Sequence, residues 1–257
     1  LTNAAALAVL SSDALSSVAY ATEEILLVLV AAGSLALGWS IPIAIAIILL
    51  LAIVIFSYRQ TIRAYAKGGG SYIVARENLG LYPGLVAAAS LMIDYILTVT
   101  VSVSAGTAAL TSAKPELQPY TIELCLVFTL LIMVANLRGV RESGQIFMIP
   151  TYGFIAGVFV LIGIGCYKIF TGYVPPIYPD VPIKEPLGLF FILRAFAAGC
   201  TALTGVEAIS DGVLAFKPPE WKNARLTLLF LGEILGIMFV GITFLANAYH
   251  IPKQDKL

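Results

Sequence analysis

A carboxylate, four serine hydroxyls and a tyrosine stand within ten residues, Ser11-Ser12-Asp13-Ala14-Leu15-Ser16-Ser17-Val18-Ala19-Tyr20, inside a stretch, roughly Ala4 to Ala32, that is otherwise apolar enough to cross a bilayer. An acid at bilayer depth costs about 2.5–3.5 kcal/mol on insertion scales unless something compensates it, so such a residue points to a function by default. Asp13, Ser16, Ser17, Tyr20 and Glu24 fall on one stripe of a helix. A plainer reading makes Ser11, Ser12 or Asp13 the cap of a helix that begins late, at the membrane surface. That reading leaves the apolar run Ala4–Leu10 outside the membrane with no reason to be there. Glu23 and Glu24 lie deeper still, and structural pairing and function are both open for them.

Two later clusters have matching chemistry. Tyr95, Thr98 and Ser102 are spaced i, i+3 and i+7, with Gly106 next on that face. Hydroxyls on one face replace part of an ion's hydration shell, or hydrogen-bond a neighbouring helix. Asp94 is about 100° round the helix from Tyr95, which suggests a supporting role. Thr204, Glu207 and Asp211 share a face if their helix is continuous, although Gly199 and Gly205 suit an unwound segment. Unwound backbone at membrane depth is tolerated only where it lines a cavity or is covered by protein. The plainer reading of Glu207 is a buried acid bonded to backbone.

Other chemistries fit poorly. Lys67-Gly68-Gly69-Gly70-Ser71-Tyr72 lacks the Gly-Lys-Ser/Thr ending of a phosphate loop and no strand pattern precedes it, so a cytoplasmic turn is expected. An intramembrane aspartyl protease built on Asp13 and Asp94 would need two acids sharing a proton, and neither has a Gly-x-Gly-Asp setting. Cys125, Cys166 and Cys200 are far apart in or beside apolar runs and read as small buried residues. His250 is the only histidine, which excludes a histidine-rich metal site. No cofactor and no enzymatic activity are expected.

The elements that must position these groups are membrane spans. The 257 residues are 60% hydrophobic and 12% charged, against about 25% charged in soluble domains. The net charge of zero gives no reason to expect nucleic-acid binding. With about 20 apolar residues per span, seven spans are expected, roughly 4–32, 41–65, 83–111, 119–137, 145–170, 187–216 and 224–249. Pro42 and Pro119 suit helix starts. Residues 171–186, with Pro175, Pro176, Pro179 and Pro182, read as an extended loop facing solvent. No Met opens the sequence and no Lys or Arg precedes the first apolar run, so no signal peptide is expected. The chain reads as beginning inside a longer one.

Arg59, Arg63, Lys67 and Arg76 follow span two. Arg138 and Arg141 follow span four, and Lys217, Lys222 and Arg225 follow span six. The alternate loops hold none, then Lys114, then Lys168 and Lys184. The basic loops are expected in the cytoplasm and the N-terminus with them. Spans one and six then run oppositely, and both carry a small-residue, acid-containing break. Two interrupted spans five apart predict an inverted transporter repeat. The first repeat would be 1–170 and the start of a second 187–257, cut off after its second helix.

These motifs, with Gly68-Gly69-Gly70-Ser71-Tyr72-Ile73-Val74, Asp94-Tyr95-Ile96-Leu97-Thr98 and Leu203-Thr204-Gly205-Val206-Glu207-Ala208-Ile209-Ser210, resemble KimA-type potassium/proton symporters. That group lies in the amino acid-polyamine-organocation (APC) superfamily, whose inverted-repeat fold is shared with LeuT. The resemblance covers nearly the whole sequence. General amino acid permeases usually have a glycine-rich break in helix one, where this chain has Ser-Ser-Asp. The resemblance implies an all-α, polytopic membrane protein with the first seven transmembrane helices of that fold. It implies that Asp13, Tyr20, Tyr95, Thr98, Ser102 and Thr204 line a potassium path and that Glu207 couples to a proton. It also implies a homodimer held through C-terminal parts that this sequence lacks, namely helices eight to twelve and a cytosolic region. Dimer contacts and any nucleotide regulation would reside there.

Elementary chemistry agrees. Potassium takes several oxygen ligands in place of water, Asp13 would supply the compensating charge, and a carboxyl in low dielectric suits Glu207 to bind and release a proton. The leading expectation is a proton-coupled potassium importer of the cell membrane, with the bilayer, potassium and protons as partners. The alternative is a permease for amino acids or other organic solutes on the same fold. Asp13 at the break would repel a substrate carboxylate unless a cation met it, whereas cationic or amine substrates fit.

Overall fold

The computed structural model describes residues 1–137, 140–174 and 185–249. Arg138, the four loop prolines, Lys184 and His250 lie outside the described residues, as does the side chain of Arg141. Every regular element described is helical. In order these are α1 (Asn3–Leu10), α2 (Ser12–Val30), α3 (Ser40–Ala64), α4 (Gly70–Leu79), α5 (Leu81–Ala113), α6 (Thr121–Leu137), α7 (Val140–Phe170), α8 (Leu189–Gly199), α9 (Ala208–Asp211) and α10 (Glu220–Ala248), with short 3-10 turns between some of them.

Among the described residues six helices are long and apolar enough to cross a membrane: Ala36–Ala64, Leu81–Ala113, Pro115–Leu137, Phe147–Phe170, Leu189–Asp211 and Glu220–Ala248. The pair α1 and α2, bent by 52° at its break, makes a seventh if counted as one span. Large apolar side chains such as Ile122, Leu126 and Leu130 of α6 are exposed, and α6 buries no residue. A contiguous apolar surface of this kind is untenable in water and suits a bilayer. The chain is an all-α, multi-pass membrane protein.

The helices gather into two compact units. The first takes 1–13, 57–151 and 205–228, and so contains α1, α4, α5, α6 and α9. Thr2 caps α1 by accepting from the Ala5 N–H at 3.3 Å, which a helix beginning only at Ser11–Asp13 would not need. Thr151 anchors α1 by donating its buried hydroxyl to the Ala8 carbonyl at 3.3 Å. The backbone of Leu1 exchanges hydrogen bonds with Ala215 and Lys217.

The span boundaries expected from the sequence make 66–82 a loop, but α4 fills most of it. Its polar content keeps it from reading as a span, and glycines bracket it: Gly69 precedes it in the left-handed region (φ 95°) and Gly80 ends it. Gly84 lets α5 approach α4, since a Cβ there would stand 2.9 Å from that of Arg76.

The second unit takes 14–56, 152–204 and 229–257. Its helices meet at small residues. A Cβ on Gly199 of α8 would come within 2.6 Å of Ile25 of α2 and of Ile47 of α3. Gly241 of α10 does the same for Ile162 of α7. Such positions let membrane helices approach closely where no hydrophobic force drives them together. One buried polar pair crosses this core, the hydroxyls of Thr22 and Thr243 at 2.8 Å.

Candidate functional site

Span one breaks at Ser11. Its N–H still closes the last turn of α1 on the Leu7 carbonyl at 3.0 Å, with φ −112° and ψ 0°, and α2 restarts at Ser12. Asp13 therefore lies in the first turn of a new helix, where free amides and the helix dipole favour a negative charge. The break thus reduces the cost of an acid at this depth. Ser11 is fully buried, and its hydroxyl has no hydrogen-bond partner among the described residues.

Span six breaks over a longer stretch. Helix α8 ends at Gly199, a 3-10 turn covers Cys200–Leu203, and Thr204 is extended at φ −64°, ψ 138°. Gly205 follows at φ 83°, and helix resumes only for the four residues of α9. The common face expected for Thr204, Glu207 and Asp211 in a continuous helix is therefore not formed. Thr204 is removed from it by the extended and left-handed pair at 204–205. Glu207 and Asp211 remain one turn apart, joined by the Asp211 N–H donating to the Glu207 carbonyl at 3.0 Å.

In the first unit, Glu207 is 8% exposed, and its Oε1 has no hydrogen-bond partner among the described residues. It stands within electrostatic reach of Asp13, Asp94 and Asp211. The Tyr58 phenol feels both Glu207 and Asp211. Tyr95 of α5 donates its hydroxyl to Oδ2 of Asp211 at 2.9 Å, while Oδ1 of Asp211 is buried and has no hydrogen-bond partner among the described residues. Asp94, Thr98 and Ser102, spaced by four, are half-buried, and Tyr95 beside them is more exposed. Asp94 thus shares a half-buried stripe with the two hydroxyls, as its spacing of four from Thr98 allows. Glu207 within reach of three further carboxyls, with its own Oε1 and the Oδ1 of Asp211 buried and lacking a donor among the described residues, makes a cation- and proton-seeking group.

The other two expected ligands belong to the second unit. The Tyr20 hydroxyl is 3.1 Å from the Ser17 hydroxyl, one turn earlier on α2. Thr204 closes the span-six turn, its N–H donating to the Thr201 carbonyl at 3.1 Å.

Sequence reasoning missed the role of the glycine triplet. Gly68, Gly69 and Gly70 all have positive φ, and the Gly69 N–H donates to the backbone carbonyl of Asp211 at 3.4 Å. Three consecutive glycines are the available signal, because a backbone that must approach another group closely has no room for Cβ. What they approach, Asp211, is far away in sequence and cannot be read from spacing. Tyr58, in an apolar run beside Arg59, carries no signal at all.

The chain is 50% identical over 260 aligned residues to the potassium transporter KimA of Bacillus subtilis (strain 168), an alignment that takes in all of this chain and 43% of that protein. The chain thus spans less than half the length of that curated relative. The family described as amino acid permease matches residues 1–254. The chain belongs to the amino acid permease family of the APC superfamily.

Proposed function

We propose that this chain carries potassium across the cell membrane in symport with protons. The observation that carries the reading is the group of four acids in the first unit, where Glu207 Oε1 and Asp211 Oδ1 are buried without a donor among the described residues. A cation relieves both the repulsion at Glu207 and the unmet acceptors. Asp13 supplies charge from the α2 terminus. Within the first unit Tyr95, Thr98 and Ser102 supply neutral oxygens and Glu207 exchanges the proton, while Tyr20 and Thr204 are proposed as ligands on the family resemblance alone. The half-identity to a potassium transporter supports the choice of ion. The clustering of Arg59, Arg63, Lys67 and Arg76 after span two supports a cytoplasmic N-terminus. A homodimer and an inverted repeat are proposed with it, on the family resemblance.

The family match also favours a second reading, transport of an amino acid or another organic solute. Uptake of rubidium and of radiolabelled amino acids, measured side by side for the intact protein in cells lacking their own importers, separates the two. Rubidium uptake competed by potassium and accompanied by proton entry supports the first. Amino acid uptake without rubidium uptake overturns it.

A further inference from the structure

Asp211 is the meeting point of three elements of the first unit, and the transport reading above gives it only a place among the acids, not a partner. Its side chain accepts from Tyr95 of α5 at 2.9 Å through Oδ2. Its backbone carbonyl accepts from Gly69 at 3.4 Å, and a Cβ on Gly68 would stand 2.7 Å from that same oxygen. Its Oδ1 lies against Gly70 so closely that a Cβ there would overlap it. Gly70 is buried and is the first residue of the ten-residue helix α4, whose opening amides lack partners within the helix and carry partial positive charge. Asp211 is therefore held through its main chain by the glycine turn and through Oδ2 by Tyr95, while Oδ1 packs against Gly70 where a Cβ would overlap it.

A tyrosine hydroxyl has one hydrogen and two lone pairs. At Tyr95 the hydrogen is committed to Asp211. The lone pairs are then the part of the hydroxyl left to face an ion, and a carboxylate partner makes the oxygen a better donor to one, as carboxylates do for histidines at metal sites. We infer that Asp211, seated by the Gly68–Gly70 turn, is a positioning residue that orients the Tyr95 hydroxyl as a cation ligand. This rests on the potassium reading, in which Tyr95 is a ligand.

A double-mutant cycle on the intact protein tests it, with the KM and maximal rate of rubidium uptake and the amount of folded protein in detergent as readouts. Tyr95→Phe raises KM. Asp211→Ala raises KM by about tenfold, the lower end of what outer-shell partners of metal ligands contribute, with maximal rate and folded yield held. Asp211→Asn, which keeps an acceptor, recovers part of the loss. In the Tyr95→Phe background Asp211→Ala adds nothing. If the Ala variant does not fold, the cycle is run with Asp211→Asn, where a smaller shift must also vanish in the Tyr95→Phe background. A KM shift from Asp211 that persists undiminished in that background overturns the inference while leaving Tyr95 a ligand. So does a fall in folded yield with KM unmoved. No KM change in Tyr95→Phe itself removes Tyr95 from the ion site and overturns both.

Discussion

Gly70 touches Asp211 so closely that any larger residue must displace its carboxylate: a Cβ at position 70 would overlap the oxygen Oδ1, and the backbone there has φ 44°. A non-glycine residue in the left-handed region costs of order 1–3 kcal/mol, and the clash adds to it. Gly70→Ala should lower stability in detergent by at least about 1 kcal/mol and depress transport beyond the loss of folded protein. Gly157→Ala on α7, where nothing lies within 4 Å of the added Cβ, should be near neutral. Thermal melting and rubidium uptake of the two variants check this, and equal behaviour would deny the seat any importance.

Asp13 stands at the restart of span one and supplies a negative charge that the helix terminus tolerates. Asp13→Asn keeps the size and the capping ability of the side chain but removes the charge. The expected result is loss of potassium uptake by about 100-fold or more, the scale of deleting one partner of a buried ionic contact, with membrane insertion intact. Wild-type uptake by a well-expressed Asn variant would take Asp13 out of the site.

Much of the architecture is legible in the sequence because a membrane leaves few alternatives. Long apolar runs must be helices, and an acid among small or hydroxyl-bearing residues within one marks a break, as around Asp13 and around Glu207. The details of the breaks are less legible. Gly199 and Gly205 point to unwinding, yet only the extended backbone of Thr204 decides that this residue leaves the face of Glu207 and Asp211. Helix α4 is hidden because a ten-residue polar helix resembles a loop in composition. The tie between Tyr95 and Asp211 spans 116 residues, and no local pattern encodes it.

Thr98 and Ser102 share the half-buried stripe of Asp94 on α5. If that stripe lines the path, Thr98→Ala and Ser102→Ala should each raise the KM for potassium about fivefold, equivalent to ~1 kcal/mol for one lost oxygen contact, with little change in expression. Loss of folded protein in detergent with unchanged KM would instead assign both hydroxyls to helix packing. Kinetics and fluorescence-detected gel filtration on the same preparations distinguish the outcomes.

In the proposed symport, Glu207 is the acid assigned to carry the proton. It lies in the broken part of span six, it is nearly buried, and its Oε1 finds no donor among the described residues. The charges of Asp13, Asp94 and Asp211 all oppose a fixed negative charge at this position, so the carboxyl is balanced by either a proton or a nearby cation. Glu207→Gln mimics the protonated form permanently and cannot exchange. Uptake driven by a pH gradient in liposomes should therefore fail, while potassium binding measured by calorimetry survives, because Asp13, the charge proposed for the ion, is retained. A pH dye inside the liposomes reports the proton directly. Proton flux that still accompanies potassium in the Gln variant would move the coupling to another acid of the group, with Asp211 first to be tested because its Oδ1 is likewise buried without a donor among the described residues.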